Sequence, residues 1–225
     1  MKALLYKEFK LAMHPIIYLF VFLFPLMTLI PSYPLAVGFI YIMTAYPILF
    51  LGANKGQQSN DLLYTTLLPV RKKDIVKARI FTVAIIQFTY IAIISCLYPA
   101  IAHIQAGGDP NVKIPGLPIE GFTSILAFGI IGFAIADLIF FPIYYKKGKS
   151  IVMSTLFTII GFVVYIFLFT VVFPLIPGFG AYKWGLSYAG VIYQLIFLAG
   201  ALVLYVLIHY LVYKISSKRL EKVDF

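Results

Sequence analysis

The spacing between successive charged residues is the strongest constraint on what this chain can fold into. Uncharged stretches run over 11–54 (44 residues), 80–108 (29), 150–182 (33) and 184–213 (30), and 121–145 (25) is interrupted only by Asp137. A helix crosses the hydrocarbon of a bilayer in roughly 20 residues, so the first stretch holds two crossings and each of the others one. A soluble domain with 62% hydrophobic and 12% charged residues has too little polar surface to cover its apolar side chains. The expected architecture is an all-α integral membrane protein, one transmembrane domain over 1–225. Its six transmembrane helices are expected near 15–31, 34–53, 79–104, 121–145, 151–173 and 187–213, the first kinked at Pro25.

Six crossings place both termini on one side, and the distribution of Lys and Arg says which. Lys2, Lys7, Lys10, Lys55, Arg71, Lys72, Lys73, Lys77, Arg79, Lys146, Lys147, Lys149, Lys214, Lys218, Arg219 and Lys222 make 16 on that side, against Lys113 and Lys183 on the other. Both termini are therefore expected in the cytoplasm. The same topology accounts for most of the net charge of +10: the basic residues flank spans, where they meet anionic lipid, and no nucleic-acid partner is needed to explain them. No A-x-A-like site follows the first apolar run, so no cleaved signal peptide is expected. Cys96 falls inside the third span and is expected to pack as a small apolar residue. Trp184, Tyr182 and Tyr188 at one end of the spans, and Tyr144, Tyr145, Tyr210 and Tyr213 at the other, suit interfacial aromatic belts.

Residues 1–14 carry Leu5, Phe9, Ala12 and Met13 on one helical face, with Lys7, Glu8 and Lys10 off it. That pattern suits a helix lying in the cytoplasmic interface; the alternative is a simple extension of the first span. The outer segments 105–120 and 173–185, rich in Pro and Gly, break helix and read equally well as an extracellular gate or as plain connectors.

A cytoplasmic segment at 55–78 is longer than a connector requires. Ser59 or Asn60 can cap a short helix, with Asp61 in its first turn beside the positive end of the dipole. Leu63 and Leu67 share a face, Leu62 lies close to it, and Pro69 stops the helix at about Leu68. Arg71, Lys72 and Lys73 then mark the water boundary before the third span. The apolar stripe needs a partner: headgroups, the rest of the chain, or another protein that takes a helix into a groove.

The stretch "LLPVRKKDIVKARI" at 67–80 resembles the "SLPVSRKEIVKAKY" pattern between the second and third spans of permease subunits of ABC-2-type exporters. "FPIYYKKGKS" at 141–150 is similar to the "P-L-Y-[FY]-K" stretch that closes the fourth span in the short bacterial subfamily of these permeases, which includes exporters of phenol-soluble modulins. The resemblance implies a coupling helix between spans 2 and 3 that docks on a separate ATP-hydrolysing subunit through Asn60, Asp61, Leu62, Leu63, Tyr64, Leu67, Pro69, Arg71, Lys72 and Asp74. It implies further a bacterial cytoplasmic membrane location, a dimer with a second copy or a related permease, outward transport, and amphipathic peptides or other hydrophobic cargo. ATP and Mg belong to the partner subunit, and this chain needs no cofactor. Two positions depart from the family pattern: Arg71 stands where a helix-capping Ser is preferred, and Lys72 where Arg is, which removes a bidentate contact.

"GKS" at 148–150 is not a phosphate loop, because a Walker A motif needs glycine where Ile143 stands and a strand before it. Asp137 is the one acid inside a span, and such a residue must face protein, a partner or water. Gln87, His103 and His209 are its candidate partners, and the roles open to it are a structural contact, a cationic part of a cargo, or a proton relay. The last belongs to the rival reading, a proton-coupled secondary transporter. Gly129, Gly132 and Ala136 make one face of the fourth span small, for a dimer seam or for ordinary packing. Three scattered histidines and one cysteine show no metal-ligand spacing, and no polar constellation for catalysis can be assembled.

Overall fold

The computed structural model describes residues 2–12, 15–27, 70–105, 122–146, 151–172, 175 and 188–222. Every regular element among them is helical: α1 (Lys2–Lys7), running into a π-helical turn (Glu8–Ala12), α2 (Ile16–Met27), α3 (Lys72–Gln105), α4 (Phe122–Lys146), α5 (Ile151–Phe167), also ending in a π-helical turn (Leu168–Val172), and α6 (Tyr188–Glu221). Three of them, α3, α4 and α6, are long and apolar enough to cross a membrane, and α2 and α5 are shorter apolar helices. The second expected span and the short helix around 60–68 lie outside the described residues.

Two helices outrun the hydrocarbon. α3 and α6 have 34 residues each, about 50 Å at 1.5 Å per residue, against a hydrocarbon thickness of about 30 Å. The excess lies at the charged end, where α3 begins at Lys72 and α6 carries Lys214, Lys218, Arg219 and Glu221. The backbone NH groups of Asp74 and Ile75 both meet the Arg71 carbonyl (2.9 and 3.4 Å), so Arg71 occupies the cap position of α3. Its side chain has no acceptor to offer the first-turn NH groups; Asp74, in the first turn, supplies the negative charge that the helix dipole favours. The basic elbow and the third span are one uninterrupted helix.

α4 is the centre of the bundle. It is apolar on every side, as a helix enclosed by others must be, and Ala127, Ala134, Ala136, Phe140 and Phe141 have no exposed surface. α5 packs along one side of it and α6 along another, while α3 packs on α6 and carries α2 and the N-terminal segment on its far side. In lipid, close approach replaces water exclusion as the force that holds helices together. A Cβ at Gly132 would lie 2.7 Å from Phe162 and 3.3 Å from Tyr165, while one at Gly161 on α5 would run into Ile139 of α4. Gly132 therefore packs within the chain, whereas a Cβ at Gly129 meets none of the described residues within 4 Å. The Tyr165 hydroxyl donates to the Phe128 carbonyl (2.9 Å), and the two rings stack at 4.7 Å.

Outward rows of α2, α5 and α6 are as apolar as the inward ones: Phe22, Leu26, Val152, Ile160, Val203 and Leu207 are all exposed. A helix apolar on both its packed and its open face belongs in lipid. Cys96, expected to pack as a small apolar residue, is exposed on α3. Pro25 sits inside α2 and is buried there.

Candidate functional site

Asp137 is brought together with two of the three partners expected for it. Gln87 on α3 donates its amide Nε2 to Asp137 Oδ2 at 3.0 Å. His209 on α6 places Nε2 2.9 Å from the same oxygen, obliquely, as an ion pair rather than a straight hydrogen bond. The third, His103, is 16 residues beyond Gln87 on the same helix, roughly 24 Å along the axis. Tyr205 completes the cluster. Its hydroxyl donates to Gln87 Oε1 at 2.6 Å, which fixes the orientation of the amide, and its ring stacks on His209 at 3.9 Å. Nothing in the sequence marked Tyr205 beyond its spacing, one helical turn before His209.

Gln87 is eight residues above Arg79, Asp137 nine before Lys146 and His209 five before Lys214; at 1.5 Å per residue they lie about 8–14 Å from the nearest charge at the charged end of their own helices. Three helices thus present polar groups at one depth. Asp137 has no exposed surface, Gln87 and Tyr205 are buried, and His209 is 11% exposed.

A second polar layer ties the helices at the charged end. Arg79 on α3 grips Glu8 through two parallel contacts, Nε to Oε2 at 2.9 Å and NH2 to Oε1 at 3.2 Å, the bidentate geometry in which Arg is strongest. Both side chains are buried, and Lys7 adds a contact at 3.6 Å. The sequence reading placed Glu8 off the apolar stripe of the first helix; in the structure it is buried together with Leu4, because Arg79 neutralises it. Glu8 is the only acid among the first 60 residues, the one signal that pointed to it. The Tyr18 hydroxyl donates to the Phe9 carbonyl at 2.6 Å and holds α2 to the same segment. Arg219 on α6 donates to the Pro142 carbonyl near the end of α4, where a cation also suits the dipole, and exposed Lys73 meets Glu221 at 3.2 Å.

Of the residues expected to dock a partner, Asn60, Asp61, Leu62, Leu63, Tyr64, Leu67 and Pro69 lie outside the described residues. Arg71 is exposed, and Lys72 and Asp74 are half-buried at the start of α3. Among the described residues no group of three His, Cys, Asp or Glu could hold a metal ion.

Apolar helices long enough to span a bilayer, with polar side chains buried between them and basic ends, define an integral membrane protein. The family model described as ABC-2 family transporter protein matches residues 3–220, nearly the whole chain, and the chain belongs to that family. No curated protein and no solved structure matches it. The chain is accordingly the membrane component of a transporter rather than an enzyme in its own right, and permeases of this family normally work with an ABC ATPase.

Proposed function

We propose that the chain is the permease subunit of an ATP-driven exporter in a bacterial cytoplasmic membrane, with six spans and both termini in the cytoplasm. Two copies, or one copy and a related permease, form the pathway at their interface, and each docks an ATPase subunit through the segment around 60–74. The observation that carries this reading is the continuity of α3. The helix that enters the membrane starts at Lys72, inside the docking segment, so a push on Lys72 to Asp74 acts directly on a membrane helix.

The push reaches further than one helix. α3 is tied to the N-terminal segment by Arg79–Glu8, to α6 by Lys73–Glu221 and by Tyr205–Gln87, and through Asp137 to α4. Closure of the ATPases therefore moves these elements together. The cargo is amphipathic peptide or another hydrophobic molecule, a class supported by the resemblance to the short bacterial permeases. Leu63→Asp and Leu67→Asp are the direct test. Each is expected to abolish ATPase binding in a pull-down while the permease still reaches the membrane in normal amount; normal ATPase binding in both variants would remove the docking assignment. Proton-driven transport through Asp137 draws no support from membership of this family.

A further inference from the structure

α6 does not stop where its uncharged run stops. From Tyr213, the residue before Lys214, the helix continues to Glu221, about 12 Å further at 1.5 Å per residue. At the same end α3 starts at Lys72, and Lys73 stands seven residues before Ile80, about 10 Å from it. The headgroup layer on each side of a bilayer is only about 5–8 Å deep, so both helix tips project through it into water. The extension of α6 is packed against the bundle: Ser216 has no exposed surface, Leu220 is buried, and Arg219 donates to the Pro142 carbonyl near the end of α4. A packed extension of this kind holds its outward side chains in fixed positions.

Those side chains are basic. Lys218 and Lys222, one turn apart on α6, are exposed, as is Lys73 on α3. Lys73 Nζ meets Glu221 at 3.2 Å, which brings the two tips side by side. Together the tips, 71–74 and 218–222, carry six basic residues and two acidic ones, a surplus of four positive charges. Lysines at headgroup depth are accounted for by anionic lipid; lysines held beyond that depth fit an acidic surface in water. Lys73 also falls within the segment expected to dock the ATPase, so the last turn of α6 adjoins that segment.

We propose that the last turn of α6 is a second part of the ATPase-docking surface, an assignment that rests on the permease reading above: Lys218 and Lys222, beside Lys73 of α3, meet an acidic patch on the ATPase subunit. Charges at the rim of an interface speed encounter and fix its orientation. A partner seated on both tips also acts on α6 directly, without passing through the Asp137 cluster.

The test is charge reversal at two depths. The tagged chain is purified from its native membrane in mild detergent, and the ATPase subunit and anionic lipid that accompany it are counted per permease. Lys218→Glu with Lys222→Glu is expected to retain about tenfold less ATPase than the parent and to melt with it, because both side chains are exposed. Lys214→Glu, one turn nearer the membrane, is expected to keep the parent's amount. Full ATPase retention by the double variant, with loss in Leu63→Asp, would overturn the assignment and leave the docking segment standing; retention in both would remove the docking segment as well. A double variant that loses anionic lipid but keeps the ATPase would make the tips a headgroup surface, and equal ATPase loss in Lys214→Glu would show an effect of net charge alone; either result contradicts the proposal. If the double variant does not accumulate, Lys218→Gln with Lys222→Gln is judged by the same outcomes.

Discussion

Gly129 and Gly132 lie nearly one turn apart on α4 in opposite surroundings. A methyl at Gly132 meets the Phe162 ring, and a methyl at Gly129 meets none of the described residues within 4 Å. Gly132→Ala is expected to destabilise the protein by about 1–3 kcal/mol through overpacking, whereas Gly129→Ala is expected to stabilise it by about 0.5–1 kcal/mol through helix propensity. Melting of the two variants in detergent checks the pair, and opposite signs are the expected outcome. Gly161→Ala falls between them, because the obstructing atom is the tip of the Ile139 side chain, which can turn aside. The Glu8–Arg79 pair gives a second contrast at this scale. Its side chains are only 5% and 9% exposed, so Glu8→Gln leaves a buried guanidinium without its counter-charge and is expected to cost about 3–5 kcal/mol. Replacing both residues by Leu is expected to restore much of that stability, a comparison that melting curves of the single and double variants decide.

At the scale of elements, α4 and α6 run side by side in the same direction, and their polar ties keep register. Thr123 donates to Gln194 at 2.7 Å with an offset of 71 residues, and Asp137 meets His209 with an offset of 72. One rigid alignment serves both ends of the contact. The exposed Lys73–Glu221 pair between α3 and α6 is a different case, with side chains 53% and 44% exposed; water and salt screen it, and Lys73→Ala is expected to shift stability by less than about 1 kcal/mol, as read from the melting midpoint. α3, α4 and α6 were legible in the sequence because charge is excluded from hydrocarbon, so gaps between charges mark them directly. Their ends were less legible, since a helix does not stop where the membrane does: α3 runs back to Lys72 and α6 on to Glu221. Asp137 was legible as a lone acid in an apolar run, and Gln87 and His209 as polar residues that needed a reason to be there. Tyr205 and Glu8 were not, because a tyrosine suits a membrane helix in many roles and an acid beside lysines reads as solvated until its burial is seen.

For the whole molecule, polar contacts among the described residues form two layers toward the charged end, besides the Thr123–Gln194 tie at the other end of α4 and α6. One joins α3, α4 and α6 at Asp137, about 8–14 Å from the charged end; the other lies at the charged end and adds the N-terminal segment through Glu8. Apolar packing alone lets helices slide in lipid, since the lipid tails are as apolar as the side chains; hydrogen bonds and ion pairs at fixed positions set the alignment. The consequence for function is that a force applied just before Lys72 is shared by α3, its N-terminal latch and, through the Asp137 cluster, α4 and α6. The central claim is that the force comes from a separate ATPase. Purification of the tagged chain from its native membrane in mild detergent, with quantification of whatever accompanies it, tests that claim most directly. The account predicts an ABC ATPase subunit in equal amount, lost on Leu63→Asp; a permease that emerges alone, under conditions that keep other ABC complexes whole, would contradict it.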